Sequence, residues 1–101
     1  MNISIRQGET VKLETSVLDV TGQAADLSGA IVKFAIKKKD VDTVVIKDPT
    51  VLLNVISLTL DSTDTSEVGE YFYEFRIKLN GEEDSVDFGK IQITRALVYG
   101  L

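Results

Sequence analysis

Asp61, Asp64 and Glu67 stand three apart in one polar run, and three carboxylates so close carry enough oxygen to hold a calcium ion. An EF-hand loop would need ligands at its first, third and fifth positions, a glycine at the sixth and a glutamate at the twelfth. This run lacks that pattern. The plainer reading is a solvated corner in which Asp and Ser side chains accept from nearby backbone amides. Glu82-Glu83-Asp84 follows an Asn80-Gly81 turn and reads as a charged hairpin tip. With 16 acidic residues in 101, some carboxylates pair by chance, so pairing alone is no sign of general acid–base work. The chain has no histidine and no cysteine. Serine thus lacks its usual base, and thiolate chemistry, disulfides and Cys-type zinc sites are excluded. The expectation is no catalytic residue, no metal and no cofactor.

The formal net charge of -5 offers no basic field for a phosphate backbone, so no nucleic-acid partner is expected. Lys37-Lys38-Lys39 is the one basic run and reads as a solvated strand end. At 44% hydrophobic and 27% charged, the composition is that of a folded domain. A chain of this length buries roughly 60–70% of its unfolded surface. No apolar run approaches the ~18 residues of a membrane span. Met1-Asn2-Ile3-Ser4-Ile5-Arg6 lacks the pattern of a signal peptide, so use without Sec export is expected.

The elements that must position these groups read as strands. From Gly69 to Leu79, Tyr71, Tyr73, Phe75, Ile77 and Leu79 share one side, while Glu74, Arg76 and Lys78 share the other. In immunoglobulin-like sandwiches a Tyr near the start of strand F sits two residues before a buried position and bonds back to the preceding corner. Tyr71, following Gly69 and two residues before Tyr73, has that spacing. Its hydroxyl is expected to bond a backbone group within Asp64–Val68.

Other strands are expected at Ile3–Ile5, Val11–Val17, Ile31–Lys37, Val44–Ile46 and Val55–Leu60. Leu18 and Val20 continue the apolar signal on the opposite face, so a bulge or a crossing between sheets is expected near Val17–Leu18. Asp26 should cap the turn leading into the third strand, with a contact to a neighbouring subunit as the alternative. Lys47-Asp48-Pro49-Thr50 reads as a turn, and Asn80-Gly81 as a two-residue hairpin. A last strand should turn Val86 and Phe88 inward, with a bulge at Gly89-Lys90 restoring the phase for Ile91 and Ile93. The expected core is Leu13, Val32, Phe34, Ile36, Ile56, Leu58, Leu60, Tyr73, Phe75, Ile77, Phe88 and Ile91. Seven short strands without a helix imply an all-β, Ig-like antiparallel β-sandwich over residues 1–95, with an apolar tail over 96–101.

Several stretches carry a family likeness. They are Ile3-x-Ile5-x-x-Gly8-Glu9-Thr10, the run from Ala25 to Phe34, Leu58-Thr59-Leu60 with Asp64-Thr65 and Gly69 to Phe75, and Asp87 to Ile93. Together they resemble the N-terminal Ig-like domain of upper baseplate proteins of tailed bacteriophages that infect Gram-positive bacteria. The resemblance spans nearly all of residues 2–94. It implies a non-catalytic structural component of a phage or prophage tail or baseplate, made in the bacterial cytoplasm and carried in the virion. In that family the domain forms the front of a longer protein joining host-binding tips to the tail, whereas this sequence stops at Leu101.

Two other readings stand beside it. A carbohydrate-binding or adhesive module would need aromatics at loop tips, and Tyr99 is the chief one here. An acidic intracellular inhibitor would need its carboxylates on one face. The tail bears on partners, because Leu97, Val98, Tyr99 and Leu101 form an apolar end where termini are normally polar. Either it prolongs the last strand against its own sandwich, or it docks on another copy or another virion protein. A homo-oligomer is expected, with protein as the partner.

Overall fold

The long alternating strand lies at the centre of the molecule. In the computed structural model, which describes residues 2–98, it is β7 (Gly69–Leu79). The others are β1 (Asn2–Arg6), β2 (Val11–Ser16), β3 (Ile31–Lys38), β4 (Val44–Lys47), β5 (Thr50–Leu52), β6 (Val55–Leu60) and β8 (Glu82–Thr94). They form a five-stranded sheet in the order β1-β8-β7-β3-β4 and a three-stranded sheet in the order β2-β6-β5. No helix occurs among the described residues. The fold is an Ig-like β-sandwich.

Three sequence expectations on topology are corrected. There are eight strands rather than seven, because Thr50–Leu52 leaves the Asp48-Pro49 turn and pairs with β6 in the facing sheet. All pairings are antiparallel except β1 with β8, which run parallel from Asn2↔Lys90 to Arg6↔Thr94. Near Val17 the chain neither bulges nor crosses within a strand. β2 ends at Ser16, Val17 N–H donates to the Asn54 carbonyl at 2.9 Å, and a Leu18↔Ala24 bridge closes a side loop. The Asn80-Gly81 hairpin joins β7 to β8, with both residues at positive φ (54° and 81°).

The core follows from the β7 alternation. Tyr71, Tyr73, Phe75 and Ile77 point inward and are buried. Phe34 of β3 lies opposite Phe75 in the ladder, with ring centroids 4.8 Å apart, and Tyr73 lies 6.2 Å from the same ring. Leu13 of β2 and Ile56, Leu58 and Leu60 of β6 close the other side. Val32 and Ile36 are half-buried at the margin, packed against this cluster.

Phe88 is a correction, because it is 65% exposed rather than inward. Phe75 pairs with Asp87 while Arg76 pairs with Ser85, so the extra residue of the ladder is Val86. The bulge therefore comes before Phe88, not after it at Gly89-Lys90. That one-residue difference turns Asp87, Gly89, Ile91 and Ile93 toward the core side and Phe88 and Lys90 away from it.

Phe34 and Phe75 are fully enclosed, at 0% and 1% exposure. Truncating either to alanine removes its transfer energy and leaves a cavity. Phe34→Ala or Phe75→Ala is expected to lower stability by about 3–5 kcal/mol, a large share of the ~5–15 kcal/mol of a small domain. Urea denaturation with an unchanged slope measures it.

Candidate functional site

Two places gather side chains that could serve function, one marked by the sequence and one seen only in the structure. The first is the corner between β6 and β7. Asp61 Oδ1 accepts from the Thr63 and Asp64 amides, and Asp64 Oδ2 accepts in return from the Asp61 amide, all at 2.9 Å. Thr65, fully buried, donates its hydroxyl to the Glu9 carbonyl at 2.7 Å. The Gly8 amide donates to the Thr65 carbonyl, and Gln7 Nε2 donates to the Ser66 carbonyl. The corner is thus tied to the β1–β2 turn by side-chain and backbone bonds.

Tyr71 Oη donates to the Glu67 carbonyl at 2.7 Å, inside the window the strand-F spacing marks. Burial, and then the nearby Glu67 carboxylate, push the Tyr71 hydroxyl above its ordinary value. Gly69 sits at φ 152°, and a Cβ there would stand 2.8 Å from Lys38 Cε. The backbone angle and the passage of Lys38 toward Glu67 both favour glycine at this position.

The three carboxylates do not converge as a metal site. No cluster of three metal-ligating side chains occurs among the described residues. Asp61 is taken up by backbone amides, while Asp64 pairs with Lys47 at 2.9 Å and Glu67 with Lys38. Lys47 comes from β4 and Asp64 from the corner after β6, so this pair bridges the two sheets at their open edge. Burial alone pushes the Asp64 carboxyl up, but the Lys47 ammonium and the bonds from Asp61 outweigh it and hold the group below its ordinary value. Elsewhere Asp26 accepts from the Ser28 amide at 3.0 Å, the turn cap its position implies. Glu82, Glu83 and Asp84 lie exposed on the hairpin tip.

The second place is the outer face of the five-stranded sheet. Phe72, Phe88, Val44 and Ile46 are exposed there at 41%, 65%, 50% and 64%. The register sets them in two adjacent rows across the sheet. One row runs Lys90, Phe72, Lys37, Val44, and the next runs Phe88, Glu74, Ala35, Ile46. All of these but Ile46 line a shallow depression of about 540 Å³. Lys90 Nζ lies 5.9 Å from the Phe72 ring centroid and 3.3 Å from Glu70. Ser85 Oγ donates to Glu74 at 2.9 Å, and Glu74 lies 3.6 Å from Arg76.

This face was not legible from the sequence as a site. Phe72 lies on the wet side of β7, and that single break in the polar alternation was its one signal. Val44-Val45-Ile46 is apolar throughout and does not say which side faces out.

In the tail, Leu97 is fully exposed and Val98 is 68% exposed. Arg6 Nη1 donates to the Arg95 carbonyl at 3.0 Å, just before them. Tyr99 and Leu101, singled out with them, lie outside the described residues.

Comparison with known proteins adds no relative: no protein-family model matches the chain, and no curated protein does.

Two measurements test the corner. Tyr71→Phe removes one partly buried hydrogen bond and is expected to cost ~0.5–1.5 kcal/mol in chemical denaturation without changing the fold. Asp64 is the acid-sensitive element. Its depressed folded-state value means that its stabilisation is complete above the ordinary 3.8 and is lost as the pH falls below it. The expected result is that Asp64→Asn flattens the fall of melting temperature below that pH.

Proposed function

We propose that this domain is a non-catalytic structural component of a phage or prophage tail or baseplate, working through protein–protein contacts in the virion. The observation that carries the contact reading is the exposed apolar strip of Phe72, Phe88, Val44 and Ile46 on a regular sheet face. Large apolar patches on otherwise charged surfaces mark interaction sites. The corner supports the same reading from the other side. Its carboxylates are occupied in holding backbone amides and lysines, which is structural work. The phage assignment rests on the resemblance of residues 2–94 to upper baseplate domains, since a sandwich alone hosts many functions.

An adhesive or sugar-binding role is less well supported. Phe72 and Phe88 lie on a sheet face rather than at loop tips, and Lys37, Lys90 and Glu74 interleave them. An acidic inhibitor is also less well supported. The acidic side chains are dispersed over turns, the corner and the hairpin tip, and several are paired with lysine.

Particles induced from the encoding phage or prophage and banded on a density gradient test the assignment. The expected outcome is that the chain bands with the particles and that antibody against it labels the tail. A chain found only in the soluble fraction would refute it.

A further inference from the structure

We infer that the outer face of the five-stranded sheet is the contact between two copies of this chain, packed face to face with their β7 strands crossing antiparallel. The inference rests on the contact reading above and names its surface and its occupant. The outward side chains of β7 read Glu70, Phe72, Glu74, Arg76 along the strand. A two-fold axis between Phe72 and Glu74, running across the strands, lays this series over its own reverse. Glu70 then meets the partner's Arg76 at both ends of the contact. Phe72 meets the partner's Glu74.

The flanking strands reinforce the pairing. Lys37 and Lys90 are the cross-strand neighbours of Phe72, so the incoming Glu74 lands between two ammonium groups. Val44 meets the partner's Ile46, and Phe88 meets the aliphatic stem of the partner's Lys90. The parallel alternative stacks Glu70 on Glu70, Glu74 on Glu74 and Arg76 on Arg76. The charge order therefore selects the antiparallel arrangement by repulsion as well as by attraction.

The area suits a weak dimer. Only the Phe72 row crosses all five strands, since β1 and β4 each reach two of the four rows. At ~4.8 Å between strands and ~6.8 Å between rows, the occupied positions give roughly 490 Å² per copy. A standard interface buries about 800 Å² per partner, so association belongs in the micromolar to millimolar range. The existing pairs of Glu70 with Lys39 and Lys90, and of Glu74 with Arg76, are solvent-accessible on the cationic side, with Glu70 itself half-buried, and they exchange partners at modest cost. An isologous contact of this kind uses the same face on both copies and closes at two.

Sedimentation of the full chain from micromolar to millimolar concentration tests the inference. The wild type is expected to dimerise. Phe88→Ser, Glu70→Arg and Arg76→Glu are each expected to weaken the dimer at least about tenfold, with unchanged melting of the monomer. Mixing the Glu70→Arg chain with the Arg76→Glu chain should restore association, because both 70–76 pairs then carry opposite charges again. The loss in each single charge variant is specific to the antiparallel register, because a parallel one sets like charges together in the wild type and in either variant alike.

A wild type that stays monomeric throughout overturns the inference, even if it bands with virions and the proposed function stands. So does a dimer indifferent to these substitutions, or one abolished by ending the chain at Thr94, which would place the contact in the tail. A dimer weakened in both charge variants and restored by mixing them supports the inference even if the chain proves absent from particles.

Discussion

The register of β7 between β3 and β8 is the constraint on which the rest of the molecule hangs. Both neighbours are hydrogen-bonded along it, so a slip of one residue would carry Tyr71, Tyr73, Phe75 and Ile77 out into water. The same register places Phe34 against Phe75 and Tyr73, which forms the aromatic centre of the core. The start of the strand is held as well, because Tyr71 bonds back to Glu67 and the buried Thr65 ties the corner to Glu9. Once the inner side is fixed, the outer side has no freedom left. Phe72 and Glu74 are displayed because Tyr73 is buried between them.

Charge has a different role here from the one its abundance suggests. Asp19, Asp26 and Asp61 each accept backbone amides within a few residues and so fix turns. Most ion pairs are exposed and contribute at most about 1 kcal/mol each. Lys47–Asp64 differs, since both side chains are largely shielded and the pair spans the sheets where β4 and the corner meet. The acidic excess is thus spread over local structural tasks. Tyr73 shows the same habit inside the core: burial first, and then the Asp87 carboxylate its hydroxyl bonds, push it up to about 12.

Sandwich, corner and main core were legible because each is written in one strand or one turn. The β7 alternation, Gly69 with Tyr71, and Asn80-Gly81 state their structure locally. What was not legible depends on counting between strands. Val86 and Gly89 are three residues apart, and a bulge at either restores the phase for Ile91 and Ile93. Only the pairing with Phe75 and Arg76 decides between them, and with it the side on which Phe88 lies. β5 was hidden for a related reason. Its three residues follow a proline and are all exposed, so no alternation marks them, and their strand character comes from β6 alongside. The parallel pairing of β1 is likewise a property of where β8 ends.

An exposed apolar strip would ordinarily invite indiscriminate association, and the arrangement around it limits that. The three-residue edge strand β5 follows Pro49, which offers little template for edge pairing. On the outer face the apolar residues are crossed by Lys37, Lys90 and Glu74 and bounded by Glu70 on one side and Arg76 on the other. Any surface laid against this face must match that order or bury unpaired charge. The bulge at Val86 links this face to the core. By turning Phe88 outward it gives up a core side chain, and it completes the one apolar surface on the sheet that has a defined charge pattern around it.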